Sequence, residues 1–367
     1  MKRSVLSIAL VLGACASEAA DDRERGPTGK ADAIGTCADA CGDVAAAGDC
    51  WCDDLCVDFG DCCADRVEEC VPAAARACSG PLFDAHPVDG DVAVEDLGAK
   101  VPLPFATCGA EMTYLYGLAD RAPIADLLAG TGHVPVALAG GKTLVRLFWV
   151  DYATSDVGRY REVGVALATV ESAVPLPEMP LVNDYSLVAA GLAPGVTQFI
   201  HRLLLDGEGA ELATALGTQE WGLDKRIGSI KLSTTDPTAQ VHRVLDEQGA
   251  LVARLVSRED RSPGGQLAEL QLLAAAFGLP GPEALPPPAA ESRFAVANRR
   301  IDAPDTVQRW SATYGPLLGF FHRFAPSEGD TLKLGKSSEL ATLLRSIGFE
   351  PRLTAHYPSV DVVFASE

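Results

Sequence analysis

The sequence predicts an α+β protein: a small disulfide-rich knot followed by a large domain built on a curved or closed sheet. Three observations lead there. Eight of the eleven cysteines lie between Cys37 and Cys70. From about Pro102 onward, many apolar runs of strand length and few helical ones are separated by glycine- and proline-bearing turns. The 367 residues, 48% hydrophobic and 22% charged, suffice for a large buried core and for two or three domains. The net charge of −20 argues against nucleic acid as a partner, because binding phosphates needs a basic surface.

Residues 1–14 read as an export signal. Lys2 and Arg3 form a charged start, and the apolar run 5–12 is too short to cross a bilayer, which takes about 20 residues. The run ends Leu12-Gly13-Ala14-Cys15, which resembles the lipobox of bacterial lipoproteins. That resemblance implies that Cys15 is lipidated and becomes the mature N-terminus, with Ala16 directing it to the outer membrane. An ordinary signal peptide with a cysteine near its end is the other reading. Both make the protein extracytoplasmic, secreted if not anchored, and leave the lipid as its only hold on a membrane. Residues 15–36, small, charged and without apolar periodicity, read as a flexible tether.

Residues 37–70 hold ten acidic residues against one basic residue, Arg66. Cys37, Cys41, Cys50, Cys52, Cys56, Cys62, Cys63 and Cys70, in an exported chain with a thin core, imply a disulfide framework. A zinc site competes, but the window has no histidine and the compartment is oxidising, so no metal is expected. The spacing Cys-x3-Cys-x8-Cys-x-Cys-Asp-x2-Cys-x5-Cys-Cys-x6-Cys is similar to that of somatomedin B domains. By that resemblance the pairs would be Cys37–Cys52, Cys41–Cys70, Cys50–Cys63 and Cys56–Cys62, and the module would bind a protein partner. Its contact segment would be residues 57–61, which lack the adjacent tyrosines of the protease-inhibitor-binding member. Phe59 is the candidate contact residue there, unless it fills the small core. Residues 71–101 read as a linker, with Pro72, Pro81 and Pro87. Cys78 and Cys108 are left over; they pair in such a compartment or remain two buried thiols.

In the large domain, 102–367, residues 111–118 suit a strand and 120–128 an amphipathic helix. Residues 143–150 read as a buried strand and 163–170 as another, with Tyr160, Glu162 and Gly164 on one face by period-two alternation. Residues 197–205 form a further strand, and 206–218 look helical. Residues 241–245 and 250–256 flank Asp246-Glu247-Gln248-Gly249, a hairpin signal. Residues 266–277 suit a helix, 293–301 a strand, 337–347 a helix capped by Ser337, and 352–364 a last strand. Repeats, a transmembrane span, a phosphate-binding glycine loop and a G-x-S-x-G elbow are all missing from the sequence. His201 and His242 sit in strands without a second ligand at metal spacing and read as structural.

One stretch stands out chemically. Glu220-Trp221-Gly222-Leu223-Asp224-Lys225-Arg226-Ile227-Gly228 sets a basic pair among apolar residues. Burying an ammonium is costly unless it is paired or neutralised, and a partly neutral lysine attacks carbonyl carbon. A solvated turn with two surface cations is the plain alternative.

This stretch, with residues 210–225, the strand region 144–162 ending Gly158-Arg159-Tyr160-Arg161-Glu162, and residues 111–128, resembles acetoacetate decarboxylase-like proteins. The resemblance implies a β-barrel-like α+β fold and, commonly, a homo-oligomer. It implies Schiff-base lyase chemistry on a small keto acid or related carbonyl compound, without metal or organic cofactor. Lys225 would be the nucleophile, Arg226 the adjacent tuning cation and Glu162 the acid/base or orienting group; the plainer reading of Glu162 is a partner for Arg161 or Arg146. Tyr160 would be core. Asp224 stands where the family has proline, and a carboxylate there favours a charged lysine. Around Cys108-Gly109-Ala110-Glu111 there is no arginine for a substrate carboxylate. The second functional class is a non-catalytic cell-surface protein that binds a ligand or a protein on the same scaffold.

Overall fold

The structure, a computed structural model, describes residues 35–366 except 39, 43, 46–49, 54–55, 57–59, 73–74, 175, 237–238, 259–290 and 317–319. It separates into two compact units, Met1–Cys70 and Val71–Glu367. Among the described residues no helix is long and apolar enough to cross a membrane. Cys15, Phe59 and the helix expected over 266–277 lie outside the described residues.

Four disulfides close the first unit: Cys37–Cys52, Cys41–Cys70, Cys50–Cys63 and Cys56–Cys62. Its core is mostly cystine, with Cys37, Cys50, Cys52 and Cys63 buried around Ala45, because so short a chain has little else to bury. Asp65 accepts the Cys37 N–H at 3.0 Å just before helix α1 (Arg66–Cys70), tying the start of the unit to its end. The sulfurs of Cys37, Cys52 and Cys63 cluster at metal-binding distances, but all three are spent in disulfides and offer no thiolate.

The second unit is α+β and mostly sheet. In chain order it comprises α2 (Pro81–Ala85), β1 (Gly90–Val94), β2 (Ala99–Leu103), β3 (Phe105–Asp120), α3 (Arg121–Leu127), β4 (His133–Pro135), β5 (Lys142–Tyr152), β6 (Thr154–Ser155) and β7 (Tyr160–Glu171). There follow α4 (Ser186–Leu192), β8 (Thr197–Asp206), α5 (Ala210–Trp221), β9 (Lys225–Ile227), β10 (Ser229–Asp236), β11 (Ala239–Leu245) and β12 (Leu251–Arg258). The last elements are β13 (Ser292–Arg299), β14 (Val307–Tyr314), β15 (Phe320–Arg323), β16 (Thr331–Leu334), α6 (Glu339–Ser346) and β17 (Glu350–Ser366).

Strands β3, β5, β7, β8, β13, β14 and β17 pair in that order, and β17 pairs back to β3, so the sheet closes on itself. All these ladders are antiparallel except β8–β13. A second, antiparallel sheet runs β10-β11-β12-β16. Its hairpin is the one expected: Asp246 accepts the amides of Gln248 and Ala250 on its side chain, and Gly249 supplies a φ of 77°. Alternation along the ring strands sorts side chains into two cores. Met112, Tyr114, Tyr116, Phe148, Val150 and Ala166 pack on one face; Leu115, Val145, Leu147, Trp149, Val163 and Val165 pack on the other with Ile230, Val244, Leu255 and Leu344. Both faces of β5 are therefore covered, which is why residues 144–150 are apolar but for Arg146.

The start of the unit is fastened to this ring. The Cys78–Cys108 disulfide joins it to β3, and the buried Asp156 carboxylate accepts the amides of Ala77 and Ala106, both at 2.8 Å. Burial holds the Asp156 carboxyl above its ordinary pKa, against these two amides and Arg76. Among the boundaries that differ from the sequence reading are two helix starts. The helix expected from residue 206 begins at Ala210, because Asp206 still belongs to β8 and accepts the Ile230 amide at 2.9 Å. The last helix is capped at Ser338 rather than Ser337, and Ser338 carries the extended backbone of a cap.

Candidate functional site

The position of Lys225 follows from how α5 ends. Gly222 takes a left-handed conformation with φ of 61° and its N–H reaches back to Gly217, the closure that glycine favours. The chain then turns onto the sheet: Leu203 donates to the Asp224 carbonyl at 3.0 Å, and Lys225 opens β9, parallel to β8 and opposite Leu203. The lysine stem runs past α5 at Gly217, where a Cβ would come within 2.4 Å of Cε and 2.9 Å of Nζ. A larger residue there would push the end of the lysine aside.

Lys225 Nζ lies 3.3 Å from Glu162 Oε2, with side-chain exposures of 7% and 9%. Glu162 comes from β7, flanked by Val150 on β5 and Leu205 on β8. Its partner is thus neither Arg161, which pairs with Asp151 at 2.9 Å, nor Arg146.

Asp224 and Arg226, the sequence neighbours of Lys225, pair with other groups. Asp224 is held by Arg202 at 2.5 Å and Arg226 at 3.1 Å. Arg226 also pairs with Glu247 at 3.0 Å, and these two carboxylates raise its pKa. The expected tuning of Lys225 by Arg226 therefore has no direct contact behind it. Alternation along an extended segment separates residues 224 and 226 from 225, and each side satisfies its own charges.

Glu162 lines a cavity of about 200 Å³ enclosed by the first core. Lys225 is not among the residues that line it. The wall is largely aromatic, including Tyr114, Phe148, Tyr152, Phe294, Trp310 and Tyr357, and among the described residues it contains one cation, Arg146. The Arg146 guanidinium carbon stands 5.1 Å from the Tyr114 ring centre and 5.9 Å from that of Tyr116. Burial keeps the Tyr114, Tyr314 and Tyr357 hydroxyls well protonated, their pKa values raised above the ordinary phenol range. The sequence offers Arg146 only as a partner for Glu162; the signal that singles it out is a lone arginine within the apolar run 144–150.

The remaining candidates are structural. Tyr160 is 2% exposed and its ring packs 4.5 Å from that of Tyr152. His201 is held below its ordinary pKa by burial and by Arg202. His242 packs on Trp149 at 5.2 Å, and burial, with His356 nearby, lowers its pKa to about 3.

Comparison of the sequence with protein-family models and with curated proteins finds no match. Among solved structures, the chain is similar to an acetoacetate decarboxylase-like enzyme from Sphingomonas wittichii RW1, at 15% identity and a TM-score of 0.42, over 71% of this chain and 91% of that one. It is also similar to the enduracididine biosynthesis enzyme MppR complexed with the condensation product of pyruvate and imidazole 4-carboxaldehyde, at 10% identity and a TM-score of 0.41, over 80% of this chain and 96% of that one.

Proposed function

We propose that the larger unit is a Schiff-base lyase acting on a small keto acid or related carbonyl compound. The observation that carries this reading is the buried Lys225–Glu162 pair, whose carboxylate forms part of the cavity wall. Glu162 accepts a proton from the Lys225 ammonium, and the freed amine adds to the substrate carbonyl carbon. The carbinolamine loses its hydroxyl as water with the proton from Glu162, leaving a protonated imine. If the substrate carries a carboxylate on the adjacent carbon, that carbon–carbon bond breaks. Carbon dioxide departs, and the bonding pair moves to the iminium nitrogen as an enamine. A proton from solvent restores the carbon, and water hydrolyses the imine to release product. None of these steps needs a metal or an organic cofactor.

Turnover of a keto-acid panel tests this. Lys225→Ala should abolish it, and Glu162→Gln should lower it by about 10²–10⁴-fold. Unchanged turnover in Glu162→Gln would remove Glu162 from the mechanism. The second reading, a ligand-binding protein without catalysis, is favoured by the absence of Lys225 from the cavity lining. Folded wild-type protein that binds keto acids but never turns them over would select it.

The same proposal makes the first unit a somatomedin B-like knot for a protein partner, supported by its four disulfides, and makes the chain an exported lipoprotein anchored through Cys15. Cys15→Ser should release it from membranes, and continued attachment would count against lipidation.

A further inference from the structure

We infer that the cavity takes an elongated keto acid, with a carboxylate on Arg146 and its carbonyl several bonds away at the Glu162–Lys225 end. The carbonyl end rests on the Schiff-base reading; the carboxylate end does not.

The first argument is the unbalanced charge of Arg146. Its Nε is buried without a hydrogen-bond partner, and among the described residues no aspartate or glutamate forms an ion pair with it. Arg146 donates a side-chain hydrogen bond to Tyr116, and the faces of Tyr114 and Tyr116 attract the guanidinium, but the buried Tyr114 and Tyr314 phenols stay neutral and supply no full counter-charge. An anion that joins this sheltered cation gains a charge-assisted pair. A carboxylate fits the planar guanidinium fork in a bidentate pair.

The second argument is distance. Glu162 stands opposite Val150 on β5, and Arg146 lies four residues earlier on the same strand and the same face. That separation is about 13 Å along the strand. The two side chains can lean toward each other and shorten the span, and Tyr314, also in the wall, feels both charges. Much of the rest of the wall is apolar, with Phe148, Ile200, Leu203 and Trp310. Gly164 is part of the same design, since a Cβ there would strike the Phe148 ring at 2.6 Å. A cavity of about 200 Å³ lies below the range of about 300–1,000 Å³ typical for drug-sized ligands, so the occupant is slim. The carboxylate on Arg146 is then a handle kept through the reaction, distinct from any carboxylate lost as carbon dioxide beside the carbonyl, and short acids such as pyruvate or acetoacetate cannot engage both ends.

Two measurements test this. Calorimetry on wild-type protein should show phenylbutyrate, which has no ketone, binding at least tenfold more tightly than its neutral amide. Arg146→Met should erase that difference and Lys225→Ala should keep it; if Arg146→Met fails to fold, the wild-type comparison still decides. Borohydride reduction with pyruvate, levulinate and a medium-chain methyl-keto acid should then give adduct yields that rise with chain length. Equal binding of acid and amide, or adducts best with the shortest acid, would overturn the inference. Carboxylate preference without any adduct would uphold the Arg146 assignment and sink the Schiff-base reading alone.

Discussion

Lys225 was legible as a residue and not as a site. The sequence marks it by its apolar neighbours, but its partner lies more than sixty positions earlier and its passage depends on a glycine in a helix. A glycine inside a helix costs about 1 kcal/mol relative to alanine, so its presence at position 217 asks for a reason, and the lysine stem is that reason. Gly217→Ala should therefore leave thermal stability within about 1 kcal/mol of wild type while cutting the rate of borohydride trapping at least tenfold. Unaltered trapping would show that the glycine does not position the amine. Arg146, set among Leu144, Val145, Leu147 and Phe148, figured in the sequence only as a partner for Glu162, with no local sign that it lines a cavity. Asp224 and Arg226 misled because sequence adjacency suggested contact, whereas an extended chain turns neighbours to opposite sides.

At the scale of elements, strands with strong patterns were readable and their ends were not. The run 143–150 announced β5 because both its faces are buried, yet the strand extends to Lys142 and Tyr152 through pairing with β3 and β7. β17 bends where its register with β3 shifts between Tyr357 and Val360, a stretch that includes Pro358, which has no amide to donate. β11 carries the most testable electrostatic consequence. His242 has a pKa of about 3 in the folded protein against an ordinary 6.5, with burial the main cause and His356 the second. Between those values the unfolded chain binds the proton that the folded chain refuses, so stability rises with pH. His242 should thus contribute full stability above about 6.5 and lose about 1.4 kcal/mol per pH unit as pH falls toward 3. Urea melts from pH 7 to pH 4 should show this slope, and His242→Gln should flatten it; an identical slope in the variant would mean that other groups carry the acid sensitivity.

At the scale of the whole molecule, composition gave the class and cysteine spacing marked off the first unit, but closure of the sheet was beyond reach. It depends on β17 returning to β3 across more than two hundred residues and on the parallel pairing of β8 with β13, and neither leaves a local signature. The short ladder of β1 and β2 was missed because proline- and alanine-rich flanks disguised it as linker. The Cys78–Cys108 disulfide closes a separation of 30 residues, so replacing both cysteines by alanine should cost about 2–4 kcal/mol and expose the segment before β1 to limited proteolysis. Unchanged stability and cleavage would mean that Asp156, Arg76 and the packing of Leu82 and Phe83 hold the segment without the disulfide. The central claim is that the Lys225 amine reaches a carbonyl held in the cavity. Its most direct test is peptide mapping after borohydride reduction of the full-length protein with a medium-chain methyl-keto acid. The account predicts one reduced adduct, on the peptide containing Lys225 and lost in Lys225→Ala; folded protein with no adduct, or with adducts spread over other lysines, would contradict it.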